Sequence, residues 1–292
     1  MIKDKRKFKK FIKNLITRSK DHDLTTMASS LSYYYLSAAI PILLVLVNII
    51  SKYMAGNNHI LISLMDILPT SIRDLFEDII KNLIRTTNNR AISSFTILFA
   101  LWSGSKGVQR LLLSINKAYG LEEENTLIKN KIIGFIYTFI MVAFLIILMF
   151  LNVYAKQIFH LVDKFFKAIH PDINILKYRG LVSFLKFIIP IIFAILTLTL
   201  LYKSAPFNDS YKVNFKEALI GSISTSIIII VVSLAYSFFL DNLSNMSLIY
   251  GALAGFIALF VWILLFSIAM ILGAEIIAAF REIYSKDHFI IR

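Results

Sequence analysis

The sequence predicts an all-α, polytopic membrane helix bundle: six transmembrane helices, with an amphipathic outer helical segment between the first and second. Three observations predict it. Of the 292 residues, 58% are hydrophobic and 17% charged, more apolar surface than a soluble domain of this length needs. Apolar runs recur near the roughly 20 residues that cross a ~30 Å hydrocarbon core. The basic residues are also concentrated, since residues 1–20 hold nine Lys or Arg against one acid, Asp4.

That basic segment, residues 1–27, reads as a cytoplasmic tail ahead of the first span. It orients the span by the positive-inside rule and attracts anionic lipid headgroups. A net charge of +13 in a soluble protein would point to nucleic acid, but no aromatic platform or nucleic-acid module accompanies it. The apolar run that follows is longer than the core of a signal peptide and lacks a small-residue cleavage site. Cysteine is absent, which excludes disulfides, thiolate metal sites and cysteine nucleophiles.

The transmembrane domain is expected over 28–280, with spans at 28–50, 91–118, 132–154, 181–202, 215–240 and 248–279. An even number puts both termini on one side, and the basic N-terminus makes that side cytoplasmic; residues 281–292 form a C-terminal tail. The loops agree only in part, because the outer 155–180 loop is itself basic.

The first span carries hydroxyls and a proline in "LSYYYLSAAIP". At about 100° per residue, Tyr33, Tyr34, Ser37 and Pro41 fall within about a third of the circumference, and Tyr35 points away. The expectation is therefore an inward polar stripe with Tyr35 outside. Between spans one and two, Ile72, Leu75, Phe76, Ile79, Ile80 and Leu83 follow helical spacing opposite Arg73, Asp74, Glu77 and Asp78. This places an amphipathic segment within 57–88.

In the second span "SGSKG" at 103–107 interrupts the apolar run, so a broken helix is expected there. Lys106 and Arg110 share a face beside it and are candidate contacts for an anion or headgroup; so is Lys186 in span four. The third span is apolar all round, hence peripheral. In span five, Ser226, Ser233 and Tyr236 share one polar face, a second candidate cavity wall. Span six carries Gly251, Gly255 and Gly273 in phase, suited to close helix packing and to a homo-oligomer. Glu275 is an intramembrane charge, costly unless paired; it is expected to pair with Lys106 or Arg110, with carrying a proton as the alternative.

Three stretches, "MASSLSYYYLSAAIPILLVL", "LFALWSGSKGVQRLLLSINKAYG" and "IYGALAGFIALFVWILLFSIAMILGAEIIAAF", resemble the YihY/virulence factor BrkB family, formerly labelled ribonuclease BN. The resemblance covers the chain beyond the basic segment. It implies a six-helix protein of the bacterial cytoplasmic membrane, with transport of ions or lipids as the suggested activity.

The residues do not support the nuclease label. The five histidines are scattered and no H-x-E or H-x-x-x-H spacing occurs, so the metal or acid–base cluster that RNA hydrolysis needs is missing. "GSKG" lacks the P-loop spacing. The expectation is a transporter or lipid translocase with a polar cavity inside the bundle, no cofactor, no metal, and membrane lipids as partners. The alternative is a non-transporting scaffold or envelope-integrity protein whose stripes serve packing.

Overall fold

The computed structural model of the chain describes residues 2–53, 90–121, 131–144, 179–206, 211–242 and 252–284. Among them all regular structure is helical: α1 (Ile2–Asp21), α2 (Leu24–Tyr53), α3 (Arg90–Ala118), α4 (Lys131–Phe144), α5 (Arg179–Ser204), α6 (Phe215–Asn242) and α7 (Ala252–Tyr284). The expected amphipathic segment at 57–88, nearly all of the 155–180 loop and Gly251 lie outside the described residues.

Each expected span overlaps a described helix, the third only over 132–144 and the sixth from residue 252. Two stretches, Phe215–Leu240 and Leu253–Tyr284, are long and apolar enough to cross a bilayer, at 26 and 32 residues.

The basic segment is not a loose tail. Phe8, Phe11, Ile12, Leu15 and Ile16 recur at i, i+3 and i+4, and the segment forms the 20-residue helix α1. The helix closes where the His22 and Asp23 amides donate to the Arg18 and Lys20 carbonyls. Asp23 has a φ of 51°, a left-handed conformation that its short polar side chain tolerates better than most. Its carbonyl then accepts the Met27 amide at 3.2 Å, so this one residue turns the chain from α1 into α2.

The expected break in the second span is absent, because α3 runs unbroken through Ser103–Gly107. The glycines serve close approach instead. A Cβ on Gly104 would sit 2.7 Å from Thr138 Cγ2, and one on Gly107 2.9 Å from Tyr35 Cδ1. α2 and α5 likewise continue through Pro41 and Pro190.

α7 is the hub. It packs on α6 and α2 most extensively and also meets α1 and α3, while α2 packs on α3 and α5 on α6. Small residues permit this, with Ala269, Gly273, Ala274, Ala278 and Ala279 all buried. The core they face includes Leu31, Leu112, Ile115, Ile271 and Ile277.

α1 lies antiparallel to the end of α7. Arg18 reaches Glu275 and Lys7 lies over the Tyr284 ring, contacts eleven residues apart on α1 and nine apart on α7. At 1.5 Å per residue these spacings are about 16 and 14 Å, close enough to require nearly aligned axes. α7 has 33 residues, or about 50 Å, longer than a ~30 Å hydrocarbon core. Its final turns and α1 thus form one end of the bundle, called here the α1 end.

Candidate functional site

The buried charge Glu275 organises the α1 end. Its side chain is fully buried. Arg18 Nε donates to Glu275 Oε2 at 3.1 Å, and His22 Nδ1 lies 2.5 Å from Glu275 Oε1. The same guanidinium donates to the Ala118 carbonyl at 2.7 Å and to Glu282 Oε2 at 3.3 Å. One arginine thus closes the C-terminus of α3, where helix carbonyls lack partners, and joins α1, α3 and α7.

The expected pairing of Glu275 with Lys106 or Arg110 does not occur. Lys106 Nζ lies 5.9 Å from the Trp102 ring centroid, on its own helix. The basic segment folds back as α1 and brings Arg18 to Glu275 first. The missed signal was the helical spacing of apolar residues within the basic run.

Around the ion pair, the ends of α3, α5 and α6 interlock through polar groups. Asn116 Nδ2 donates to the Leu112 and Ala205 carbonyls at 2.8 and 2.7 Å, and the Tyr119 hydroxyl donates to the Tyr202 carbonyl at 3.2 Å. Tyr119 stacks on Tyr211, which lies under the Arg281 guanidinium at 4.6 Å. Burial pushes both phenols up, against a smaller lowering from Arg281. The Glu217 carboxylate accepts the Asn214 amide at 3.0 Å, the glutamate half of a capping box at the start of α6.

Two cavities open at this end. One, of about 540 Å3, lies between the α1–α2 turn and the last turns of α3, lined by His22, Asp23, Thr26, Met27, Arg110, Ser114 and Lys117 among others. Arg110 Nε is buried there without a hydrogen-bond partner, a costly state for a charged donor. The second, of about 650 Å3, is a groove between α1 and the end of α7 that includes Lys7, Lys10, Lys13 and Arg18.

The expected cavity walls are placed differently. Tyr33 is 63% exposed and Ser37 is exposed, whereas Tyr35 turns inward. The Tyr35 hydroxyl donates to Met270 Sδ at 3.5 Å and its ring meets Phe266 edge-on. Tyr34 is half-buried and packs edge-on against Tyr33, and Pro41 is buried. The inward face of α2 is the apolar and small one, Leu24, Ala28, Leu31, Ser32 and Ala38, because that face fits Gly107 and the α7 surface.

On α6 the hydroxyls are spent on neighbouring helices or their own. Ser226 donates to the Ser222 carbonyl, Ser233 accepts Trp262 Nε1 at 3.3 Å, and the Tyr236 hydroxyl donates to the Ala258 carbonyl at 2.9 Å. Deeper along α6, Thr199 and Ser222 hydroxyls lie 2.6 Å apart. Tyr202 donates to the Met270 carbonyl at 2.7 Å and so accepts from Thr225 at 2.9 Å. Neither described cavity is lined by these side chains.

Gly255 and Gly273 are buried. A Cβ on Gly273 would overlap Thr225 Oγ1 and sit 2.5 Å from the Tyr202 hydroxyl, so this glycine makes room for the hydroxyl pair. Lys186 belongs to α5, and its side chain lies outside the described set.

The model of the family described as virulence factor BrkB matches residues 15–288. A "ribonuclease-like protein YfkH" of Bacillus subtilis (strain 168) is 27% identical over 274 residues, covering 93% of this chain and 95% of the relative. A "UPF0761 membrane protein" of Mannheimia succiniciproducens is 23% identical, covering 91% and 87% of the two chains. Another of that name, from Aeromonas salmonicida, is 33% identical over 98 residues, 34% of this chain and 32% of the relative. No solved structure matches the chain. Together with the two long apolar helices, these relatives place the chain in a membrane.

Proposed function

This chain belongs to the virulence factor BrkB family, and from that premise we propose that it is a six-span protein of the bacterial cytoplasmic membrane that binds and moves an anionic lipid. Both termini face the cytoplasm in this reading, following the basic N-terminus. The observation that carries it is Arg110, whose buried Nε lacks a partner in a cavity shared with Lys117 and His22. A phosphate oxygen would supply the missing acceptor, and charge-assisted bonds of this kind are the strong ones. The volume, about 540 Å3, falls within the roughly 300–1,000 Å3 usual for small-ligand sites. A lipid suits the setting better than a free ion, because the cavity opens at one end of a bundle whose outer surface is apolar, with Ile227, Val231, Leu234 and Phe238 exposed.

The test is reconstitution into vesicles with a fluorescent anionic phospholipid and a membrane-impermeant quencher. Wild type should move the lipid faster than protein-free vesicles. Arg110→Ala should slow movement at least tenfold and Arg110→Lys less. Equal rates for wild type and Arg110→Ala would overturn the reading.

A second reading, a non-transporting scaffold, draws support from the hydroxyls of α5 and α6 being used in interhelical bonds such as Thr199–Ser222 and Tyr202–Thr225. Wild-type vesicles that behave like empty ones would favour it.

A further inference from the structure

The groove between α1 and the end of α7 is a different site from the Arg110 cavity. Lys7, Lys10 and Lys13 follow one another at three-residue spacing along α1 and line it, together with Asn14, Thr17, Arg18, Glu282 and Ile283. Four cations therefore face one carboxylate. That carboxylate, Glu282, is half exposed and meets Arg18 Nη1 at 3.3 Å, the longest of the contacts the guanidinium makes. Asn14 Oδ1 is buried without a partner, an acceptor that lacks a donor. Glu275 holds Arg18 through Nε, so Nη1 can change partner without opening the buried ion pair.

We propose that this groove binds a phosphate ester that carries a neighbouring hydroxyl. The phosphate sits among Lys7, Lys10 and Lys13 and takes Arg18 Nη1 from Glu282, while the hydroxyl donates to Asn14 Oδ1. A cluster of ammonium groups without matching acids attracts a phosphate, and a charge-assisted bond from Arg18 Nη1 adds to its hold. The same chemistry is presented by a soluble glycerol phosphate and by the headgroup of phosphatidylglycerol. The site stands independently of transport, since none of its residues lines the Arg110 cavity.

The intact protein in phosphatidylcholine nanodiscs is titrated with glycerol phosphate by calorimetry, and in phosphatidylglycerol-containing nanodiscs the retained lipid is counted by native mass spectrometry. Saturable binding in either arm supports the site and tells the soluble ligand from the headgroup. Lys10→Ala/Lys13→Ala should weaken that binding at least tenfold. Lys9→Ala/Lys20→Ala, which removes two exposed charges outside the groove, should leave it within twofold. Glu282→Gln should tighten it severalfold by removing the competing carboxylate, and the loss in Lys10→Ala/Lys13→Ala should persist when Arg110→Ala is added to remove binding in the other cavity. No saturable binding in either arm, or equal loss in the two double variants, overturns the proposal. Unchanged thermal midpoints in the lysine variants show that the fold is retained.

Discussion

Arg18 Nε donates to Glu275 Oε2 at 3.1 Å across 257 positions of sequence. The carboxylate is fully buried and the arginine side chain is 20% exposed, so the pair ties the first helix to the last inside a low-dielectric site.

Removing Arg18 leaves the buried Glu275 carboxylate with His22 as its remaining partner and the Ala118 carbonyl without its donor. Arg18→Ala is expected to destabilise the protein by about 3–5 kcal/mol, whereas the apolar double replacement Arg18→Met/Glu275→Leu should recover most of that loss. Thermal unfolding in detergent checks both. Equal losses in the single and double variants would contradict the pairing.

The direction of the tyrosine cluster gives a second expectation. Tyr35 packs against the core and Tyr33 is 63% exposed. Tyr35→Ala should cost about 3–5 kcal/mol, as for other buried aromatics, and Tyr33→Ala about 0.5 kcal/mol or less. Chemical denaturation of the two variants side by side decides it.

Gly273 faces the Tyr202 and Thr225 hydroxyls. Gly273→Ala should destabilise by about 1–3 kcal/mol through overpacking. With Thr225→Ala the double variant should lose less than the sum of the singles, because the second change removes the nearer of the two groups the new methyl would meet. A strictly additive cycle would show that the contact is not the cause.

The α6 hydroxyls should matter for stability alone. Ser233→Ala and Tyr236→Phe each remove one bond from the α6–α7 contact, worth about 0.6–2 kcal/mol in a membrane bundle. Lipid movement in reconstituted vesicles should stay within twofold of wild type. A transport defect without a stability loss would return these side chains to the site.

Much of the architecture was legible in the residues. Apolar runs located the helices, and Gly273 marked close approach on α7. Arg110 was singled out beside Lys106, and the structure puts Arg110 in a cavity wall while Lys106 lies over Trp102.

The sequence by itself determined which residues share a helix face, because the 3.6-residue period sets relative angles along one helix. Tyr33 and Ser37 do lie together, opposite Tyr35. Only the tertiary structure decided which face turns inward. That choice depends on the fit between helices: the Tyr35 ring enters the space left by Gly107, and the small residues of α7 admit α2 and α6. It also decided the partner of Glu275, since a charge is paired by whichever cation the chain path brings within reach. The α1–α2 turn at Asp23 brings Arg18 and His22, which no periodicity within α7 could indicate.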